Sequence, residues 1–176
     1  MTPQLEQLIK HYESLHDGDL TAIGLQPKMD CLGIWTEGWG AVIYDGNNRM
    51  VKGASNKALA VQFSKIKTEA EAQADLTNKV SRIEANVLAI VNKNVGLKQH
   101  QIDALTDFAY NCGVGSLQSS TALRLINKGN LNGIDALIKW NKGQDTKGNL
   151  VELPGLTARR KSEIHLFKTG EVKFFN

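Results

Sequence analysis

Cysteine, proline, histidine clusters and long apolar runs are all scarce in this chain, and each scarcity excludes a class of protein. Two cysteines, Cys31 and Cys112, in 176 residues are too few for a secreted disulfide framework and lack the spacing of a metal knuckle, so both read as reduced, structural thiols. The four histidines, His11, His16, His100 and His165, are dispersed and form no HExxH or paired His/Cys pattern, so no metal and no cofactor is expected. Three prolines and the lack of any repeat or low-complexity tract argue against disorder except at the ends. The N-terminus, MTPQLEQLIKHYESL, is amphipathic and has no apolar run of the length a signal peptide or a membrane span requires. No stable membrane association is therefore expected, and the protein should stay in the cytoplasm where it is made until something else releases it. Charge of one sign is scarce too. A net charge of +3 is too small to argue for nucleic acid, although Arg159, Arg160, Lys161, Lys168 and Lys173 gather basic character near the C-terminus that would draw an anionic polymer.

What is present is the composition of an ordinary folded domain, 41% hydrophobic and 22% charged, long enough to bury a substantial core unaided. Thr2 and Pro3 form a helix start, and Leu5, Leu8, Ile9 and Tyr12 keep one helical face, so a first helix is expected over residues 2–15. The segment from His16 to Pro27 is too irregular to assign. Ile34 to Tyr44, IWTEGWGAVIY, followed by Asp45-Gly46-Asn47-Asn48, carries a hairpin signal. Thr68 and Glu71 have capping-box spacing ahead of Ala72, Leu76, Val80, Ile83, Val87 and Ile90, which predicts a long linking helix over 68–91. From Gly96 onward the pattern is helical: Ile102 to Cys112, a helix capped by Ser119 or Ser120, Leu131 to Trp140, a Gly-rich turn loop at 142–155, and a last helix of roughly Leu156 to Thr169 ended by Gly170. The expected architecture is α+β: one domain of a small N-terminal lobe at about 14–67 with a hairpin and a helical C-terminal lobe at about 92–176, with a cleft between them.

One stretch, Glu13 to Gly40, stands out chemically. Glu13 falls on the apolar face of the first helix, and a carboxylate aimed at apolar surroundings is paired, protonated or used. A buried ion pair and a functional acid both satisfy that pattern. Downstream lie Asp30, Thr36, Glu37 and Trp39, the last between two glycines. Trp35, Trp39 and Trp140 could offer flat faces to sugar rings, though each also suits a core position.

Glu13, the run Asp30-Cys31-Leu32-Gly33-Ile34-Trp35-Thr36 and Gly38-Trp39-Gly40 together resemble the phage-type lysozymes or endolysins of glycoside hydrolase family 24. QHQIDALTDFAYNCGVGSLQSSTALRLINKG is similar to that family's central helix pair, and WNKG with LPGLTARRKSEIHLF to its C-terminal signature. The resemblance implies a lysozyme-like fold and a cofactor-free muramidase acting on bacterial peptidoglycan for cell lysis. It implies Glu13 as general acid, with Asp30 and Thr36 holding the attacking water, and Tyr110 and Asn111 lining the saccharide site beside Trp39. Arg124 and Arg159 or Arg160 would meet peptide-stem carboxylates. Desolvation raising the Glu13 pKa suits the acid role, and room for a water beside Asp30 predicts inversion, with carboxyls about 6.5–9.5 Å apart. A monomer is expected, with neither nucleic acid nor membrane as partner.

Two departures matter. Sixteen residues separate Glu13 from Asp30, roughly twice the family spacing, so about eight residues between Leu15 and Met29 read as an insertion. The family's Thr-Ile-Gly-Tyr-Gly-His becomes Thr36-Glu37-Gly38-Trp39-Gly40-Ala41, which makes Glu37 a rival for the second carboxylate. A non-catalytic wall-binding module and a chitin- or chitosan-directed hydrolase are the competing readings.

Overall fold

Thr2 starts the first helix as its spacing predicts: the Leu5 N–H donates to Thr2 Oγ1 at 3.2 Å, and α1 (Pro3–Glu13) buries Leu5, Leu8 and Ile9 on one face. Ser14, at φ 55°, ends it in the left-handed conformation. The computed structural model describes residues 1–30, 32–144 and 148–176 of this α+β chain. It comprises two compact units, one of Glu13–Lys79 and one of Met1–Tyr12 with Val80–Asn176. Cys31, read above as a structural thiol, lies outside the described residues; Cys112 is a free thiol.

The unit of Glu13–Lys79 is built on a three-stranded antiparallel sheet, β1 (Lys28–Met29), β2 (Trp35–Glu37) and β3 (Ala41–Val42), in that order. Lys28 pairs with Thr36 and Met29 with Trp35, while Thr36 pairs with Val42 and Glu37 with Ala41. The first strand lies in the stretch that the sequence leaves unassigned, because two residues are too short to show alternation. Asp45 makes the expected turn, its Oδ1 accepting from the Asn47 and Arg49 N–H groups at 2.9 Å. Trp35, Ile43, Val51 and Ala60 form a small core, with the Trp35 indole N–H donating to the Gly53 carbonyl at 2.8 Å. Ala60 comes from α2 (Lys57–Phe63), a helix not among those expected from the sequence pattern.

The loop between Leu15 and Met29 is closed at its base. Asp17 Oδ1 accepts from the Asp19 and Gln26 N–H groups at 3.2 Å, the Gly18 N–H donates to the Gln26 carbonyl at 3.0 Å, and the Leu25 N–H donates to the Lys67 carbonyl at 2.8 Å. Between those ties the loop exposes Leu20 and Ile23. The capping box forms as expected: Thr68 N–H donates to Glu71 Oε2 at 3.0 Å and Glu71 N–H to Thr68 Oγ1 at 3.2 Å. It opens α3 (Glu69–Ile90), close to the 68–91 predicted, and the division between the units falls within this helix.

In the larger unit α4 (Gln99–Cys112) is the buried element, with Ile102, Leu105 and Phe108 in a core shared with Leu8, Val87, Leu123, Ile134, Leu166 and Phe167. α5 (Val114–Ser119) and α6 (Thr121–Ile126) follow, the second capped by Ser120, whose Oγ accepts from the Leu123 N–H at 3.0 Å. Leu131–Lys139 winds as a 3-10 helix, and the expected Gly-rich loop holds a hairpin of β4 (Lys142–Gln144) and β5 (Leu150–Glu152). The last helix, α7 (Pro154–Thr169), ends at Gly170 with φ 79°. Among the described residues no helix is long and apolar enough to cross a membrane.

Candidate active site

Glu13 is the last residue of α1, half-buried, and it opens the unit that also holds Asp30 and Thr36. Gly40 lies against its carboxyl group. A Cβ on Gly40 would stand 3.1 Å from Glu13 Oε2, and the backbone there has φ 81°, so glycine suits both the space and the conformation.

Thr36, the central residue of β2, is 5% exposed. The pleat turns it to the face opposite Trp35 and Glu37. Its hydroxyl donates to the carbonyl of Lys28, its partner on β1, at 2.9 Å, and it stands 2.6 Å from Nδ1 of His16. The His16 N–H donates to the Gly38 carbonyl at 2.8 Å, which fixes the backbone of the histidine against the end of the same strand. Burial and the Lys28 ammonium hold the His16 pKa below its ordinary value, while the Glu13 and Asp30 carboxylates and the Glu13 backbone pull it upward. Both carboxylates therefore act on one imidazole. Sequence reasoning missed His16, because its neighbourhood has no regular pattern and its partner is 20 residues away.

Asp30 follows β1 and directs the turn into β2. Its Oδ1 accepts from the Leu32 N–H at 2.9 Å and the Ile34 N–H at 2.8 Å, and its own N–H donates to the Ile34 carbonyl at 2.8 Å. One carboxylate oxygen is thus committed to the backbone.

Glu37 is placed differently from its rival reading. It is 8% exposed, and its Oε2 accepts from Ser64 Oγ at 2.8 Å, the Lys65 N–H at 2.7 Å and the Ile66 N–H at 2.9 Å. Three donors on one oxygen tie β2 to the chain that leaves α2, and what the sequence shows as a spare carboxylate is an anchor. Trp39, half-buried, occupies the turn between β2 and β3, whereas Trp35 is core.

Residues 19–163 match the family model of the phage lysozymes. The chain belongs to the phage lysozyme family. Glu13 precedes the matched span. An endolysin of Bacillus phage B103 is 45% identical over 80 residues, which are 45% of this chain and 28% of that protein, so the match spans less than a third of that relative. Among solved structures, an endolysin from Escherichia coli O157:H7 phage FAHEc1 superposes with a TM-score of 0.74 at 27% identity, covering 98% of this chain and 95% of that one. The muramidase domain of SpmX from Asticaccaulis excentricus superposes at 0.69, also with 27% identity, covering 96% of this chain and 97% of the other. The fold is that of the lysozymes.

The remaining lysozyme-site candidates lie in the larger unit. Tyr110 and Asn111 are half-buried near the end of α4. Asn111 Oδ1 accepts from the Arg160 guanidinium at 2.9 Å and faces the Cys112 thiol at 3.4 Å, which fixes which end of the amide is oxygen. Arg160 is wholly buried, also donating to Cys112 Sγ at 2.9 Å and to Glu163 Oε1 at 2.5 Å, with its guanidinium 4.8 Å from the Phe108 ring centre. Arg159, 3% exposed, grips Asp107 through two hydrogen bonds of 2.9 Å. Neither arginine is placed to meet a peptide stem, which corrects the expectation for both; Arg124 is exposed. Burial raises the Cys112 thiol pKa, so this cysteine is a packed thiol beside a cation.

Proposed function

We propose that this chain is a peptidoglycan hydrolase, a muramidase that cleaves the β-1,4 bond between N-acetylmuramic acid and N-acetylglucosamine with inversion, serving bacterial cell lysis. The observation that carries it is that one unit holds Glu13, with Gly40 against its carboxyl group, and also Asp30 directly after β1 and Thr36 on β2, whose hydroxyl lies 2.6 Å from His16. Glu13 gives its proton to the leaving glycosidic oxygen. Asp30, with Oδ1 held by the backbone, offers Oδ2 to the attacking water, and Thr36 accepts that water's other hydrogen. Glu37 has no part in this reading, because its charge is already taken up inside the protein. Family membership and the likeness to a domain described as a muramidase support the substrate class. Tyr110, Asn111 and Trp39 remain the proposed saccharide contacts.

Purified peptidoglycan treated with wild type should lose turbidity and release new reducing ends at N-acetylmuramic acid, first as the α-anomer. Glu13→Gln should abolish both. Binding of wild type to the wall without any reducing ends would instead identify a non-catalytic module, and turnover restricted to chitin or chitosan would identify a retuned hydrolase.

A further inference from the structure

We infer that His16 is a positioning residue for Thr36: its Nδ1–H donates to Thr36 Oγ1 and fixes the hydroxyl with its single proton on the Lys28 carbonyl and one lone pair turned to the attacking water. The inference rests on the role proposed for Thr36 above. The Lys28 carbonyl has no proton to give, so the 2.9 Å bond between it and Thr36 must use the hydroxyl proton. A hydroxyl has only one. The second neighbour, Nδ1 at 2.6 Å, must then supply its own hydrogen, since two bare lone pairs at that distance repel. That donation occupies one of the two lone pairs on Thr36 Oγ1 and leaves one acceptor and no donor.

The consequence is directional. A threonine in this state can accept a hydrogen from the water but cannot donate to it. The water oxygen keeps its lone pair for the anomeric carbon, while Asp30 takes the proton that is lost. Without His16 only the Lys28 carbonyl holds the hydroxyl, and a hydroxyl that turns away from it donates to the water, which ties up the electron pair that must attack. Burial and the nearby Lys28 ammonium favour the uncharged ring, while Glu13 and Asp30 pull the other way. The backbone pairing of His16 with Gly38 and the burial of Thr36 keep both groups in register.

Two measurements test this. The nitrogen-15 shifts of the His16 ring in the wild type should show Nδ1 protonated and Nε2 bare near neutral pH; the opposite tautomer overturns the inference without any variant. Kinetics on soluble peptidoglycan fragments should then separate His16→Asn from His16→Gln and His16→Leu. The asparagine amide places an N–H where Nδ1 stands, and the other two do not. His16→Asn should keep kcat within about threefold, whereas Gln and Leu should lower it about 10- to 100-fold with KM nearly unchanged and wild-type melting. Wild-type kcat in His16→Leu, or equal losses in Asn and Gln, overturns the role; should the leucine variant fail to fold, the Asn and Gln pair decides. A wild type inert on the wall removes the hydrolase reading and this one with it, whereas an active wild type alongside an active His16→Leu removes only the role of His16.

Discussion

Gly40 shows how a residue with no side chain sets the position of one that has chemistry. Its φ of 81° is shared by Gly33, at 76°, but a Cβ on Gly33 meets nothing among the described residues within 4 Å while one on Gly40 meets Glu13 Oε2 at 3.1 Å. Alanine at either position should lose about 1–2 kcal/mol of stability from the left-handed backbone. Only Gly40→Ala should also displace Glu13, the proposed acid, so kcat on peptidoglycan should drop in that variant and persist in Gly33→Ala. Equal activities would show that Glu13 tolerates the intrusion. Asp30 allows a similar separation. Asp30→Asn keeps an oxygen for the Leu32 and Ile34 N–H groups but loses the proposed base, so it should melt like wild type and lose about 100-fold or more in turnover. Asp30→Ala should lose the turn as well, about 1 kcal/mol by chemical denaturation. Asp30→Asn with full turnover would remove the base from the scheme. At this scale the sequence singled out Asp30 and Thr36 as candidates through their resemblance to a family motif and Glu13 through its helical face. It could not show His16, whose meaning lies in a contact with a strand residue, nor the burial of Glu37, whose three donors come from residues 64–66.

Among the elements, what was legible was what is local. The caps at Thr2, Thr68 and Ser120 are each written within four residues, and all three form. β1, β4 and β5 were not legible, because strands of two or three residues exist only through their partners. Glu37 is the clearest case of an element held from elsewhere, joining β2 to the exit of α2. Glu37→Gln leaves an amide oxygen to replace Oε2 and should lose about 1 kcal/mol, whereas Glu37→Leu strands the Ser64 hydroxyl and the Lys65 and Ile66 N–H groups and should lose about 3 kcal/mol or more. Turnover per folded molecule should stay near wild type in Glu37→Gln. A collapse of turnover in that variant, with folding intact, would return Glu37 to candidacy as the second carboxylate.

Across the whole molecule, the basic run near the C-terminus misdescribes the surface, because Arg159 and Arg160 are enclosed with Asp107 and Glu163. Glu163 Oε2 is buried with no hydrogen-bond partner among the described residues, and the Asp107 and Glu163 carboxyl groups lie close enough to shift one another's pKa. A proton shared between them satisfies both observations. Burial and the adjacent Asp107 push the Glu163 pKa well above its ordinary 4.5, against the pull of Arg160, while Arg159 holds Asp107 below its ordinary 3.8 despite burial. The two act on stability with opposite sign. A raised folded pKa means that the native state binds the extra proton, so the Glu163 contribution is complete below pH 4.5 and is lost as pH rises through the folded value. The Asp107 contribution is present above pH 3.8 and is lost as pH falls through its depressed value. His16, in the other unit, also has a lowered pKa, so its contribution holds above pH 6.5 and fades as pH falls. Glu163→Gln isolates the first of these, because its amide can donate to Asp107 as the shared proton does and never titrates. Wild type and variant carry the same His16 and Asp107, so the difference in their unfolding free energies should move steadily in favour of the variant as pH is raised from 5 to 8 in parallel denaturant titrations. A difference that does not change over that range would mean that Glu163 is already ionised at its lower end, and that Arg160 outweighs burial and Asp107 together.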